Sequence, residues 1–213
     1  MRLWLAPQVR AARVESDVVF LDISSDAYFC LVGAGAHLRL SAGGGVEADP
    51  PEAARDLVEA GLLSRQASPI IASGPPRVRR GLDKAGRWPR LVETATAVHA
   101  NLRAAEAVAH LPFAAVLALA GPLSPSAFEA PSPALLDRAA SFERLSPWLP
   151  RAGLCLMRSL QQRLFLARHG CDAAWVFGVR TWPFEAHCWV QAGDVVLGDA
   201  PDYVAGFTPI MAV

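Results

Sequence analysis

A cysteine at the point where a loop gives way to a helix constrains this chain more than any other feature. Residues 146–153 contain two prolines and a glycine, which interrupt regular structure. After Cys155, leucines recur every fourth residue as far as Arg168, and Gly170 stands where a helix would end. Cys155 is therefore predicted in the first turn of a helix, where the free N–H groups favour a nucleophilic thiolate. The alternative is a small, buried and inert cysteine.

The composition is that of a globular chain with a sizeable core. Of its 213 residues, 53% are hydrophobic and 19% are charged, and the 20 basic residues balance the 20 acidic ones. The net charge therefore gives no argument for a nucleic-acid partner. Four cysteines without a CxxC pair do not form a disulfide framework and favour a reducing, cytoplasmic location. The longest uncharged run, residues 107–128, contains prolines that argue against a membrane span.

The N-terminal part of the chain has the pattern of a small sheet. Strands are predicted over residues 9–15, 18–23 and 27–31, with the third strand at an edge, and short helices over 34–40 and 51–60. An exposed edge strand beside a helix can receive an extended peptide as an additional strand. The alternative is a small winged-helix-like core without that role.

A stretch rich in proline, serine, glycine and arginine separates this part from the rest. It predicts a first domain over residues 1–70, a linker over 71–89 and a second domain over 90–213. The second domain is predicted to contain helices over 90–110 and 134–145, then the Cys155 helix and an antiparallel sheet, so the whole chain is α+β. One side of the first of these helices is apolar, formed by Leu91, Ala95, Val98, Leu102, Ala105 and Val108.

The last two strands form a hairpin whose register the turn residues leave open. With a three-residue loop, Ala192 to Asp194, His187 faces Asp199 on the same side of the sheet, within reach of a hydrogen bond. With Gly193-Asp194 as a two-residue turn, the pairing slips by one residue and Asp199 lies on the other face. A bulge would restore the match.

If Cys155 lies against His187, the three side chains form a nucleophilic triad. His187 takes the thiol proton and later gives it to the leaving amine, while Asp199 orients the ring and stabilises the imidazolium. Trp189 shares the face of His187 and would shield the ion pair from water. The alternatives are a structural histidine and an aspartate that serves only its turn. No metal site is predicted, because His187 and Cys188 point to opposite faces and cannot join His169 and Cys171.

Four motifs in the C-terminal part resemble a known family. They are Cys155-Leu156-Met157-Arg158-Ser159-Leu160, Gly178-Val179, Ala186-His187-Cys188-Trp189-Val190 and Gly198-Asp199. Together they resemble the lasso peptide biosynthesis B proteins, leader peptidases of the transglutaminase-like (papain-like) superfamily, over about residues 90–205. Two positions depart from that pattern: Cys188 replaces a residue that is often small, and Gln191 one that is often glutamate.

A weaker resemblance covers the N-terminal part. Leu21-Asp22 and Tyr28-Phe29-Cys30-Leu31, followed by Gly33 and Gly35, are similar to the leader-recognition module of many ribosomal-peptide pathways. This module is similar to the small peptide chaperone of pyrroloquinoline quinone biosynthesis. The resemblance implies that a leader peptide binds as an added strand beside a helix. The residues that it implicates in leader binding are Ala27, Tyr28, Phe29, Cys30, Leu31 and Leu57.

Both resemblances imply a fused B protein that binds a precursor and cuts its leader from its core. The freed core would pass to an asparagine-synthetase-like cyclase that closes a macrolactam. Family members depend on ATP and on that partner, yet the sequence has no GxxxxGK[ST] loop. We therefore expect no bound cofactor, with ATP used by the cyclase. Two other functions stay open: acyl transfer by the same triad, and peptide binding without catalysis.

Overall fold

The structure, a computed structural model, describes residues 2–41, 43–67, 74–83, 88–150 and 155–213. The chain divides into two compact units. The first contains Met1–Gly74, Gly178–Ala186 and Thr208–Met211, and the second contains Pro75–Phe177, His187–Phe207 and Ala212–Val213. The predicted linker, residues 71–89, lies partly outside the described residues, so the predicted domain boundaries stay predictions.

Strands dominate the N-terminal 74 residues. The elements in chain order are β1 (Arg2–Leu5), β2 (Val9–Val14), β3 (Asp17–Asp22), β4 (Ala27–Leu31), β5 (Leu38–Leu40), β6 (Gly45–Ala48), helix α1 (Arg55–Glu59) and β7 (Leu63–Ser64). The predicted meander is present as an antiparallel sheet in the order β2-β3-β4, so β4 lies at an edge. Residues Val18 to Leu21 of β3 are fully buried, which fits a central strand covered on both faces.

The helix predicted over residues 34–40 is wrong. The structure has a single 3₁₀ turn, Ala34–Ala36, and then β5. Gly35 approaches the carbonyl oxygen of Ser16 so closely that a Cβ would lie 2.8 Å from it, which holds this turn against the preceding strands. Leu38 and Leu40 follow a period of two, and β5 joins a second sheet in the order β5-β6-β1-β7 that the sequence did not predict.

The rest of the chain begins with one short strand, continues with helices and then supplies the other strands of a third sheet. Its elements are β8 (Arg80–Gly81), α2 (Leu91–His110), α3 (Phe113–Leu119), α4 (Pro133–Leu145), α5 (Cys155–Arg168), β9 (Ala174–Arg180), β10 (Glu185–Ala192), β11 (Val195–Val196), α6 (Pro201–Val204) and β12 (Thr208–Ala212). The sheet order is β12-β9-β10-β11-β8. This mixture of helices and mostly antiparallel strands confirms the predicted α+β class. Within the described residues, no helix is long and apolar enough to cross a bilayer.

Helix α2 spans the predicted residues but turns a different face to the core. It buries Ala97, Ala100, Ala104 and Ala107 together with two polar residues, Glu93 and Asn101. Small alanine side chains let α2 pack closely on α5, while Asn101 accepts a hydrogen bond from Gln161 at 2.7 Å. The leucine and valine side of α2 is exposed instead: Leu91 is 90%, Val98 45% and Leu102 61% accessible.

Candidate active site

Helix α5 carries Cys155 in its first turn, as the sequence predicted. The helix begins at Cys155 and ends at Arg168, and Gly170 follows in the left-handed region with φ of 67°. The thiol is half-buried. The irregular stretch predicted over residues 146–153 contains a 3₁₀ turn, Ser146–Trp148, and its residues 151–153 lie outside the described residues.

The β10–β11 hairpin adopts the two-residue turn, so the register that places His187 opposite Asp199 is wrong. Gln191 pairs with Val196 and Ala192 with Val195. The ladder continues for one more bond, from the Leu197 N–H to the Val190 carbonyl at 2.9 Å, and the strand ends there. Continued further, the ladder would place Asp199 opposite Cys188, on the wrong face. Because the chain leaves the ladder at Gly198, Asp199 is free to turn toward the imidazole.

The structure brings Cys155, His187 and Asp199 together. The Nε2 atom of His187 lies 3.0 Å from Oδ2 of Asp199. The Cys155 thiol and the His187 side chain are hydrogen-bonded to each other. Since Nε2 is engaged by Asp199, Nδ1 is the ring nitrogen left to face the sulfur. Sulfur, ring and carboxylate therefore follow one another in the order that acyl transfer requires, while their catalytic role stays a prediction.

Aromatic rings enclose the imidazole. Trp189 stacks on His187 with centroids 6.2 Å apart, and the rings of Tyr203 and Phe207 lie 5.1 and 5.4 Å away. Trp189 and Phe207 are buried, and the His187 side chain is itself only 11% exposed. Water is thus largely excluded from the ring, which strengthens the interactions of the imidazolium with its two partners.

The environment favours a thiolate on Cys155 and a proton on His187. Hydrogen bonds from the Cys188 thiol and from His187 lower the pKa of Cys155 from 9.0 to about 4, although burial opposes this. Burial lowers the pKa of His187, but hydrogen bonds and charge from Asp199 and Cys155 outweigh it and raise that pKa to about 9. A thiolate–imidazolium pair is the state that attacks a carbonyl without prior proton transfer.

Cys188 is a site residue that the sequence reasoning missed. It follows His187 in β10, is 3% exposed, and its thiol and backbone N–H both donate hydrogen bonds to the Cys155 sulfur. The hydrogen bond to Cys155, burial and the Cys155 charge raise the pKa of Cys188 well above its usual value, so it stays a neutral donor. The sequence signal for this role was that Cys188 departs from the family pattern. Side chains alternate along a strand, however, so Cys188 was expected on the opposite face from His187.

We expect the activity of this site to depend on pH through both groups. Below about pH 4 the thiolate gains a proton, and above about pH 9 the imidazolium loses the proton needed by a leaving amine. The value of kcat/KM should therefore be flat between these limits and fall on both sides. Rates measured at constant ionic strength, with folding checked by circular dichroism at each pH, test this. An acidic limb near pH 9, the ordinary thiol value, would contradict it.

The residues predicted to bind a leader lie in the first unit. Phe29 of β4 is 43% exposed, whereas Ala27, Tyr28, Cys30 and Leu31 are half-buried. The Tyr28 ring also packs on Phe184, with centroids 5.8 Å apart. Leu57 of α1 is 7% exposed and belongs to the core. Leader binding by these residues stays a prediction.

No metal cluster accompanies the triad in the part of the chain that the structure describes. No group of three or more histidine, cysteine or acidic side chains there has the geometry to hold an ion. The four residues considered from the sequence do not form such a group, and His187 and Cys188 are both engaged with Cys155.

A family model described as the transglutaminase-like superfamily matches residues 98–212. The chain belongs to this superfamily. The matched domain contains all three triad residues, with the cysteine at a helix start, the histidine in β10 and the aspartate in the bend between β11 and α6.

Part of the chain is also similar to one curated protein. The transglutaminase-like chain is 44% identical over 48 residues to the microcin J25-processing protein McjB of Escherichia coli. That match covers 22% of this chain and 23% of the relative, so less than a quarter of either protein is compared. No solved structure matches.

Proposed function

We propose that this protein is a cysteine peptidase that binds the leader of a ribosomally made lasso peptide precursor and cleaves it from the core. The observation that carries the proposal is the contact series from Cys155 through His187 to Asp199. The resemblance of the four C-terminal motifs to lasso B proteins and the local similarity to a microcin-processing protein support the choice of substrate.

The geometry supports amide hydrolysis in two stages. The Cys155 thiolate attacks the scissile carbonyl carbon, and the Cys155 N–H is the first donor to the oxyanion. The His187 imidazolium then gives its proton to the leaving amine, which frees the core and leaves the leader as a thioester on Cys155. Neutral His187 next takes a proton from water, whose oxygen attacks the thioester, and the leader departs with a free carboxylate.

The same triad would serve acyl transfer if an amine replaced the water that attacks the thioester. The two reactions differ in product mass, because hydrolysis adds one water to the precursor and transfer to a second amine does not. The partly closed aromatic surroundings of His187 favour neither acceptor. Product masses therefore decide between peptidase and acyltransferase.

The deciding experiment incubates the protein with a lasso precursor in four arms. The arms contain the precursor alone, with ATP, with an asparagine-synthetase-like cyclase, and with both. Mass spectrometry is expected to find a leader with a free carboxyl terminus and the matching core. Because we assign ATP to the cyclase, ATP alone should not accelerate leader release. An intact precursor in all four arms, from a folded protein, would refute the proposal.

The exposed ring of Phe29 gives a prediction for leader recognition. Replacing Phe29 with alanine is expected to weaken the binding of a synthetic leader peptide about 10-fold, the usual loss on truncating an aromatic contact. Titration of a fluorescent leader with the full chain, followed by anisotropy, measures this. Leu102→Ala is the control, since Leu102 is also an exposed apolar side chain but belongs to α2. Equal affinities for the two variants would contradict the prediction.

A further inference from the structure

Three side chains lie along one face of α5, one turn apart. Cys155, Ser159 and Gln162 are spaced i, i+4 and i+7, which places them above one another on a helix. Ser159 is 5% exposed and Gln162 is 2% exposed. Polar side chains buried this deeply are expected to have definite hydrogen-bond partners, and both partners here lie in the segments that carry the base and the acid.

Ser159 joins α5 to the strand that carries His187. Its hydroxyl donates to the carbonyl oxygen of Cys188 at 2.9 Å. Cys188 is the residue next to His187, and its N–H and thiol both reach the Cys155 sulfur. Helix α5, which carries the nucleophile Cys155, is therefore hydrogen-bonded to β10 at Cys188, the residue that follows the base His187.

Gln162 joins α5 to the point where the chain leaves the hairpin ladder. Its side-chain amide donates to the carbonyl oxygen of Leu197 at 3.2 Å. Leu197 makes the last ladder bond, and Gly198 and Asp199 follow it. A Cβ on Gly198 would lie 3.0 Å from Oε1 of Gln162, so the backbone passes closely over this side chain. The two-residue turn alone would direct Asp199 to the wrong face, and the exit beside Gln162 corrects that.

A buried carboxylate supports Gln162 from the neighbouring helix. Oε1 of Glu143, in α4, lies 3.5 Å from the Gln162 amide nitrogen and would be 3.1 Å from a Cβ on Gly198. Its other oxygen accepts a hydrogen bond from Arg158 at 2.8 Å. The Glu143 side chain is 3% exposed while that of Arg158 is 37% exposed, so the buried carboxylate is paired with a charge at the edge of the solvent. Two helices thus hold Gln162 in one orientation.

We propose that Ser159 and Gln162 are positioning residues: Ser159 sets the place of His187 against Cys155, and Gln162 sets the exit of the chain that turns Asp199 onto the ring. The face of α5 then works as a common reference for all three triad members. This inference deepens the proposed function because it concerns the same site. It does not need the lasso precursor as its substrate, since the reactivity of the thiol reports the geometry directly.

Gln162→Met tests the role of the amide, and Gln161→Met is its matched control. Methionine keeps the length of the side chain but cannot donate a hydrogen bond to Leu197. Gln161 is the same residue type, equally buried on the same helix, and it bonds Asn101 rather than the hairpin. The readout is the pH dependence of Cys155 alkylation by iodoacetamide, followed on the Cys155 peptide by mass spectrometry.

The expected results separate positioning from general stability. In wild-type protein the alkylation rate should rise near pH 4. In Gln162→Met the rise should move to higher pH, because a ring that Asp199 no longer orients makes a weaker hydrogen bond to the Cys155 sulfur, and that bond lowers the pKa of the thiol. Precursor cleavage should fall about 10²-fold in kcat. Gln161→Met should keep the wild-type alkylation profile. An unchanged profile in Gln162→Met, or equal shifts in both variants, would overturn the proposal.

Ser159→Ala gives a second and independent test. The variant loses the bond to the Cys188 carbonyl, so its alkylation profile should also move to higher pH. Ser141→Ala is the matched control, because the Ser141 hydroxyl is buried in α4 and has no hydrogen-bond partner among the described residues. If Gln162→Met does not fold, as judged by circular dichroism, Ser159→Ala decides: a wild-type profile overturns the proposal, and a shifted one supports it.

Failure of the inference and failure of the proposed function give different results. Suppose that the wild-type thiol ionises near pH 4, that both variants shift this ionisation, and that no lasso precursor is cleaved. The positioning role would then stand, and the proposed peptidase activity would be wrong. Suppose instead that the precursor is cleaved and that cleavage requires Cys155, but that both variants keep the wild-type alkylation profile. The peptidase activity would then stand, and the positioning role would be wrong.

Discussion

Replacing Cys155 with alanine is expected to abolish leader removal, with a loss of about 10⁶-fold in kcat, the size seen when the nucleophile of a triad is deleted. Alanine cannot attack the scissile carbonyl or form the thioester, so the core amine is not released by this route. Initial rates of leader release, followed by mass spectrometry on matched protein concentrations, measure the effect. The side chain is half-buried and small, so the fold should tolerate the change.

Cys171→Ala is the matched control for this variant. Cys171 lies just beyond the other end of α5, where burial raises the pKa of its thiol and keeps it protonated. The Cys171→Ala variant should therefore cleave the precursor at the wild-type rate, which would show that removing a cysteine does not by itself reduce activity. Leader release by Cys155→Ala at more than a small fraction of the control rate would show that the nucleophile lies elsewhere.

The parts of the site that local sequence signals specify are those that the sequence predicted well. The start of α5 at Cys155 follows from the prolines and glycine before it, and its end follows from Gly170, which adopts a positive φ that favours glycine. Strand β10 follows from the alternation around His187. Each of these signals lies within a few residues of the feature that it determines.

The geometry between Asp199 and His187 is different, because distant residues decide it. Turn chemistry left two registers, and the observed one places Asp199 on the wrong face unless the ladder ends at Leu197. Gln162 from α5 and Glu143 from α4 determine that end, and no periodicity in the hairpin reveals them. The sequence identified the three side chains but not the residues that make them meet.

Helix α2 and β5 show two further reasons why patterns fall short. In α2, the apolar side formed by leucines and valines is exposed, and the alanines are buried instead because they allow a close approach to α5. Residues 38–40 were predicted to be helical, but they form β5 and pair with β6. In both places tertiary contacts override a local preference, which is a general limit of propensity arguments.

Asp199 gives the second large effect that we expect. Asp199→Ala should lower kcat about 10⁴-fold, the loss reported for triads without a working carboxylate, because nothing then holds the His187 ring or stabilises its charge. Asp199→Asn should lose much less, since an amide oxygen can still accept from Nε2 and Cys-His-Asn sites are functional. The two variants thus divide the role of Asp199 into a hydrogen bond and a charge.

The charge also determines the direction of a pH shift. The hydrogen bond and charge of Asp199 raise the pKa of His187 against the lowering effect of burial, so removing the charge in Asp199→Asn should bring that pKa below about 9. The alkaline limb of kcat/KM should move to lower pH, while the limb near pH 4 should change less because Asp199 is not among the groups that lower the pKa of Cys155. Asp194→Asn is the control, since this carboxylate of the same hairpin pairs with the exposed Arg80. An alkaline limb that stays at pH 9 in Asp199→Asn would mean that the carboxylate orients the ring without stabilising its charge.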